Sequence, residues 1–343
     1  MSRTVFRQKG FSLIELMIAL VIGLMIIAGV LQVFVGSTIT YSMQSGLSKI
    51  QENGRFAMSF LTRDIRQAGY TGCSKNTTFA NTIRDASGAI PSFVDITDLV
   101  GGQDNVVGTA VQGDPLDKTD VVEVRFADVG GGCDIDSHNS NAASIQCEAN
   151  HAFKKGEVLL ITDCSHTAVF QQSNVNNNGT VSVIVHNTGA GTDNCTKGLG
   201  DPVLCTTNGT AYQFNNGTVM RMSAYRYYVA NNTLGEPALY RDSIATGTTG
   251  ATASELVEGI ENMQVLYGED TSGDGTANYY VPFDEVSDAD DIISIRVSLL
   301  VRSIEDNIVK GTQTISYNGS TIPFSDGRLR KVFTSTIALR NRL

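Results

Sequence analysis

Six cysteines and four histidines are the first residues of this 343-residue chain to consider for disulfide or metal chemistry. All six cysteines follow a long apolar segment near the start of the chain, and none belongs to a C-x-x-C pair: Cys73, Cys133, Cys147, Cys164, Cys195 and Cys205. Their even number and loop-rich surroundings predict disulfides. The sequence leaves the pairing open, but Cys133–Cys147 and Cys195–Cys205 would close short local loops and are favoured, which leaves Cys73 with Cys164. The alternative is zinc bound with the help of His138, His151 and His166, although no tight ligand spacing occurs.

A second candidate for metal chemistry is the loop D-T-S-G-D-G-T-A-N at residues 270–278. Its oxygen-bearing side chains are Asp270, Ser272, Asp274 and Asn278. With Gly275 after Asp274, the first six residues follow the spacing of an EF-hand loop, whose alternate oxygens wrap calcium. Val281 stands where the bidentate glutamate of such a loop would lie, so we expect weak calcium binding. The alternative is a polar turn between two strands, with no cofactor.

Nothing in the sequence predicts an enzyme. The chain contains no G-x-S-x-G, H-E-x-x-H or Walker motif, and its histidines lie in separate polar or strand-edge contexts. The formal net charge of −10 and the absence of a basic stripe argue against a nucleic-acid partner. We therefore expect a structural or binding protein.

One carboxylate, Glu15, lies inside an apolar run at residues 13–35 that is long enough to cross a membrane as a helix. A carboxylate inside such a helix costs on the order of 3 kcal/mol. The cost falls if the chain is cut after Gly10, because Phe11 then carries a free α-amino group about one turn from Glu15. A plain single-pass anchor would explain the length of the run but not the carboxylate.

The stretch K-G-F-S-L-I-E-L at residues 9–16 resembles the N-terminus of type IV prepilins. These proteins have a short basic leader, then Gly-Phe, then an apolar helix with glutamate as its fifth residue. The resemblance implies cleavage between Gly10 and Phe11 by an inner-membrane prepilin peptidase, with methylation of the new N-terminus. It also implies that Glu15 docks the subunit into a filament.

Helical periodicity continues beyond the apolar run. Small and apolar residues recur every three or four positions: Leu47, Ile50, Gly54, Ala57, Leu61, Ile65 and Ala68. The pattern predicts one helix from about Phe11 to Ala68, capped by Gly69 and half-buried on a globular head. Residues 52–73 are similar to the helix-to-head junction of PilW-family minor pilins.

After Gly72 the sequence is typical of β-structure. Alternation and β-branched content predict strands at 121–126, 157–163, 181–187, 225–231, 293–303 and 331–341. Residues 254–268 indicate a short helix followed by a strand, and residues 100–220 a decorated surface region. The expected fold is α+β and type IV pilin-like: a long N-terminal helix, transmembrane in its first half, on an antiparallel β-sheet head with disulfide-stapled loops. The expected divisions are a leader (1–10), a transmembrane and filament-core helix (11–35), its amphipathic continuation (36–69) and the head (70–343).

The resemblance implies a minor pilin that joins other minor pilins to prime type IV pilus assembly at the tip. It implies as partners other minor pilins, the major pilin, the assembly platform, prepilin peptidase and a large tip adhesin. The subunit would sit in the bacterial inner membrane with its head in the periplasm, and later in the pilus on the cell surface. Two alternatives are a J-like pseudopilin of type II secretion, whose head would be shorter, and a tip adhesin that makes contact through residues 100–220.

Overall fold

The computed structural model describes residues 10–73, 78–91, 94–95, 99–107, 115–147, 151–177, 182–243 and 253–341. The expected leader lies outside these residues except for Gly10.

A single long helix, α1 (Leu13–Gln67), contains 55 residues and is about 82 Å long. It can run without a break because no proline occurs between Phe11 and Gln67. It starts later than the periodicity predicts, since Ser12 is extended and acts as its N-cap. It ends where Gly69 takes a left-handed conformation with φ of 73°. The backbone N–H of Gly69 then donates to the carbonyl of Arg125, which joins the end of the helix to the head.

The described part of the head consists mainly of strands, with a few short 3₁₀ turns. The strands are β1 (Thr78–Asn81), β2 (Val100–Gln103), β3 (Val121–Asn139), β4 (Ser144–Cys147), β5 (Val158–Thr162), β6 (His166–Gln171), β7 (Asn174–Asn177), β8 (Ser182–Val185), β9 (Thr218–Asn231), β10 (Pro237–Ser243), β11 (Ser254–Glu258), β12 (Ile260–Glu269), β13 (Tyr279–Val281), β14 (Ile292–Arg302), β15 (Gln313–Tyr317), β16 (Ser320–Phe324) and β17 (Arg330–Ala338). The 3₁₀ turns include Phe283–Glu285 and Ala289–Asp291.

The described strands form three sheets. The largest has eleven strands, with the path β1-β6-β5-β9-β3-β4-β8-β7; β2 pairs with β3, and β10 joins β9 to β11. The second has the order β13-β12-β14-β17, and the third is the hairpin of β15 and β16. Apart from the parallel pair β1–β6, the described pairings are antiparallel. The architecture is the expected α+β fold of one long helix on a largely antiparallel head.

The main apolar core lies between the second half of α1 and two sheets. It includes Ile50, Leu61 and Ile65 of the helix, packed against strands of both the eleven-stranded and the four-stranded sheet. On this face the periodicity is confirmed except at Leu47, which is 39% exposed. Gly46, one residue earlier, is buried in its place.

Two expectations for the head are wrong. Residues 254–268 contain no helix, because Gly259, with φ of 79°, divides the segment into β11 and β12. Pairing of β11 with β10 and of β12 with β14 overrides the local helical pattern. Residues 100–220 are more than surface decoration, since Phe170 and Phe214 belong to a separate buried apolar cluster there.

Candidate functional site: the assembly helix and its seat on the head

The first half of α1 is an exposed apolar rod. None of its most apolar 18-residue window is buried within the part of the chain that the structure describes, and the mean hydropathy of that window is 2.8. Phe11 is 89% exposed and Phe34 67%. Exposure of so much apolar surface to water is unfavourable, so this half of the helix needs a membrane or other helices around it.

Glu15 closes a capping box at the start of this rod. The backbone N–H of Ser12 donates to its Oε2 at 2.9 Å, and the backbone N–H of Glu15 donates to the Ser12 hydroxyl oxygen at 3.3 Å. This capping box is visible in the sequence as S-x-x-E, but sequence reasoning considered the α-amino group of Phe11 as the partner of Glu15. The cap satisfies two N–H groups that a helix N-terminus otherwise leaves unpaired. The carboxylate therefore has a structural partner even before the chain is cut.

Gly10 and Phe11 lie outside the helix, in an exposed segment that precedes the Ser12 cap. The Gly10–Phe11 bond therefore lies in exposed, non-helical chain. The structure brings Gly10, Phe11 and Glu15 together at one end of the helix, far from the other predicted site residues in the head. Cleavage and methylation there stay predictions.

Two glycines let the helix approach the head closely. A Cβ added to Gly54 would overlap the ring of Phe333 in β17. One added to Gly46 would lie 2.8 Å from Cδ1 of Ile308. Gly54 therefore allows close packing against an aromatic ring, whereas Gly46 faces only the end of a flexible side chain, which can move.

A buried carboxylate attaches the same helix to the larger sheet. Asp64 is only 2% exposed. Its Oδ1 accepts from Nε of Arg63 at 2.8 Å, and its Oδ2 accepts from Nη1 of Arg241 at 3.2 Å and from the hydroxyl of Tyr227. Burial, and then the Asp64 charge, raises the pKa of Tyr227 far above its ordinary value. Asp64 belongs to the residues 52–73 that resemble a PilW junction, but sequence reasoning did not predict its burial, although it stands three residues after Leu61 on the predicted buried face.

Three disulfides connect the head. They are Cys73–Cys164, Cys133–Cys147 and Cys195–Cys205, with Cα–Cα distances of 5.3, 5.7 and 4.9 Å. The last two are the pairs that short loops favoured and the first is the pair left over, as expected, and no free cysteine is left for zinc. The first bridge ties the segment just after α1 to the turn between β5 and β6. The end of the helix is thereby fixed to the eleven-stranded sheet covalently.

A pair of buried histidines lies in the cysteine-rich part of the head. Nε2 of His138 and Nε2 of His186 are 3.1 Å apart. Nδ1 of His138 accepts the backbone N–H of Phe214, so its proton sits on Nε2 and is donated to His186. Burial lowers the pKa of His138 to about 4. Burial, and then the charge of His138, lowers the pKa of His186 to about 3, so both rings are neutral near pH 7.

The predicted calcium loop is folded around its own side chains. Oδ1 of Asp270 accepts the backbone N–H of Gly273 at 2.7 Å, and its Oδ2 accepts that of Gly275 at 2.6 Å. Oδ1 of Asn278 accepts the N–H of Thr271, while Asp274 accepts only from Thr276. Asp270, Ser272 and Asn278 are thus brought together, but largely as acceptors for the turn. Calcium binding stays a prediction.

Metal clusters of the usual kind are absent from the part of the chain that the structure describes. There, no three side chains of His, Cys, Asp or Glu lie close enough together to hold a metal ion.

Comparison with known families gives two matches. The family described as prokaryotic N-terminal methylation motif matches residues 5–31, which contain Gly10, Phe11 and Glu15. The family described as Type IV Pilus-assembly protein W (PilW) matches residues 226–341. That second range holds the last part of β9 and all of the four-stranded sheet against which α1 packs.

A search of curated proteins found no match, and a search of solved structures found none either. Both matched families describe pilin-type proteins, and pilin domains are structural parts of pili and not enzymes. The methylation-motif match covers the start of the exposed helix, and the PilW match covers the four-stranded sheet against which the helix packs. The chain thus matches a type IV prepilin methylation motif near its start and the PilW family model over residues 226–341, and its helix is long and apolar enough to cross a membrane.

Proposed function

We propose that this protein is a minor pilin that is cut after Gly10, joins other minor pilins and primes the assembly of a type IV pilus from its tip. The precursor stands in the bacterial inner membrane with its head in the periplasm, and the mature subunit reaches the cell surface in the pilus. Its partners are prepilin peptidase, the assembly platform, the major pilin, other minor pilins and a large tip adhesin.

The observation that carries this proposal is the uncovered apolar rod with Glu15 at its start. Apart from Gly23, residues 13–35 are exposed in the described chain, so their surface is free first for lipid and then for helices of other subunits. In a bundle of such helices, the free α-amino group of one mature subunit can pair with the Glu15 carboxylate of the next. Such a pair removes the cost of a lone carboxylate in an apolar surrounding.

The seat of the helix supports the same role. Gly54 and Asp64 attach α1 to both large sheets, and the Cys73–Cys164 disulfide anchors the segment beyond its end. A helix held in this way transmits its position in the bundle to the whole head. A bulky head at the start of a filament would limit what can be added above it, as priming from the tip requires.

The test begins with mass spectrometry of the protein isolated from sheared pili. We expect a methylated N-terminus at Phe11 and an intact mass lower by six hydrogens for three disulfides. The strain that lacks the protein should form few pili and lose twitching motility, and the Glu15→Val variant should be processed without restoring them. An intact Met1 start in the membrane fraction alone would refute the proposal.

Two other outcomes would assign different functions. Normal pili with lost adhesion would indicate a tip adhesin, whose contact region would have its own apolar cluster around Phe170 and Phe214. Normal pili with lost protein secretion would indicate a pseudopilin.

A further inference from the structure

A basic groove lies between the end of α1 and the end of the last strand. We name it the arginine groove; its volume is about 740 Å³, and its polar walls include Ser59, Thr62, Arg63, Arg66, Gln67 and Arg340. Three arginines and no carboxylate line it, in a chain with 35 acidic and 25 basic residues. The groove is therefore locally positive, although the protein as a whole carries a net negative charge.

The buried Asp64 neutralises only part of the positive charge of the groove. Asp64 forms ion pairs with both Arg63 and Arg241, so two guanidinium groups share one carboxylate. Arg66 and Arg340 are exposed, and neither forms an ion pair within the described ranges. Asp64 also holds Arg63 in place, which presents the guanidinium at the groove with little loss of side-chain freedom.

Lipid headgroups cannot be the natural occupant of this groove. Met58, its first lining residue, follows Val35, the end of the apolar run, by 23 residues, which separates the groove from the membrane by about 35 Å along the helix. A single small anion would use only part of an opening that extends over residues 58–70 of the chain. Arginine forks suit carboxylates, and Ser59, Thr62 and Gln67 offer hydrogen bonds to a peptide backbone.

We propose that the arginine groove binds a carboxylate-rich peptide segment of a neighbouring pilus subunit. The identity of the partner as a pilus subunit rests on the proposed function, whereas the binding of an acidic peptide does not. The contact would lie at the helix-to-head junction, above the bundle of apolar helices. It would therefore select the neighbour of the head separately from the docking of the helices.

The binding test uses the full-length protein in detergent, with fluorescein-labelled octaglutamate as the probe and octalysine as the opposite-charge peptide. Octaglutamate should bind the wild type, more weakly as salt rises, and octalysine should not. The Arg66→Glu/Arg340→Glu variant should lose about tenfold or more in affinity, because two of three guanidinium groups are reversed. The Arg55→Glu/Lys155→Glu variant makes the same change of charge at exposed positions outside the groove and should stay within about twofold of the wild type.

Equal losses in the two variants, or no octaglutamate binding, would overturn the proposal, as would tighter binding of a single-stranded oligonucleotide or of anionic lipid vesicles. In cells, a photo-crosslinking residue at Thr62 should form an adduct with a carboxylate-rich peptide of another pilin, identified by mass spectrometry. An adduct only within the same chain would contradict the choice of partner. If deletion of the protein leaves pili intact while the purified groove still binds octaglutamate, the proposed function fails and the groove remains.

Discussion

Two neighbouring buried histidines should make the cysteine-rich part of the head sensitive to acid. His138 and His186 share one hydrogen bond, and burial lowers their pKa values to about 4 and about 3. An unfolded histidine has a pKa near 6.5, so the unfolded chain binds protons more tightly than the folded one. The pair therefore contributes its full stability above about pH 6.5 and loses it as the pH falls toward 4.

The size of the effect follows from these pKa values. At pH 5.0 each unfolded histidine is almost fully protonated while each folded one is almost fully neutral. The difference costs about 2 kcal/mol per histidine, or on the order of 4 kcal/mol for the pair. That is a large part of the stability of a typical domain, so the loss should be easy to measure.

The assay is urea unfolding of the full-length protein in detergent at pH 7.5 and pH 5.0, followed by tyrosine fluorescence, since the chain has 11 Tyr and no Trp. In the His138→Asn/His186→Phe variant, the difference between the two pH values should shrink by about 4 kcal/mol, because neither replacement can take up a proton. Phe214→Leu is the matched control: it loosens the same aromatic cluster, in which Phe214 lies beside His138, and keeps both histidines. The reasoning is refuted if the double variant keeps the pH dependence of the wild type.

Three further predictions concern the seat of the helix, the longest disulfide loop and the calcium loop. Gly54→Ala should destabilise the protein by about 1–3 kcal/mol through overlap with the aromatic ring above it, whereas Gly36→Ala, where nothing lies within 4 Å, should be neutral or stabilising; equal melting temperatures would contradict this. Replacing Cys73 and Cys164 by Ser should lower the free energy of unfolding by about 4 kcal/mol, because that bridge spans a sequence separation of 91 residues; a loss in urea unfolding below about 1 kcal/mol would rule out the loop-closure argument. Calorimetric titration of EGTA-treated protein should give calcium binding at 270–278 with a dissociation constant of about 0.1–1 mM, and no heat would end the prediction.

The contacts between α1 and the head show what sequence reasoning could and could not predict. Periodicity predicted which helical face is buried, because burial follows a repeat of 3.6 residues that local sequence displays directly. It did not predict that Asp64 would lie on that face, because the partners of this carboxylate, Tyr227 and Arg241, are more than 160 residues away in the chain. For the same reason, sequence could not say which side chains close over Gly46 and Gly54.

For the strands of the head, the sequence likewise predicted positions along the chain but not their pairing. Strong alternation located the centres of β5, β8, β9, β14 and β17, but not the order in which they pair. Residues 254–268 were assigned to a helix in part because a local window does not contain the strands that compete for them. Cysteine spacing favoured the three observed pairs, yet it could not show that one of them joins the end of α1 to the larger sheet.

The sequence by itself determined the N-terminal chemistry of this protein: Gly10, Phe11 and Glu15, followed by an apolar run long enough to span a membrane. Such features are local, since the length of a helix, its cap and its hydropathy depend on residues within a few turns. Only the tertiary structure decided the arginine groove and the histidine pair. Both join side chains from distant parts of the chain, and their charge and burial arise from neighbours that come together only when the helix packs on the folded sheets.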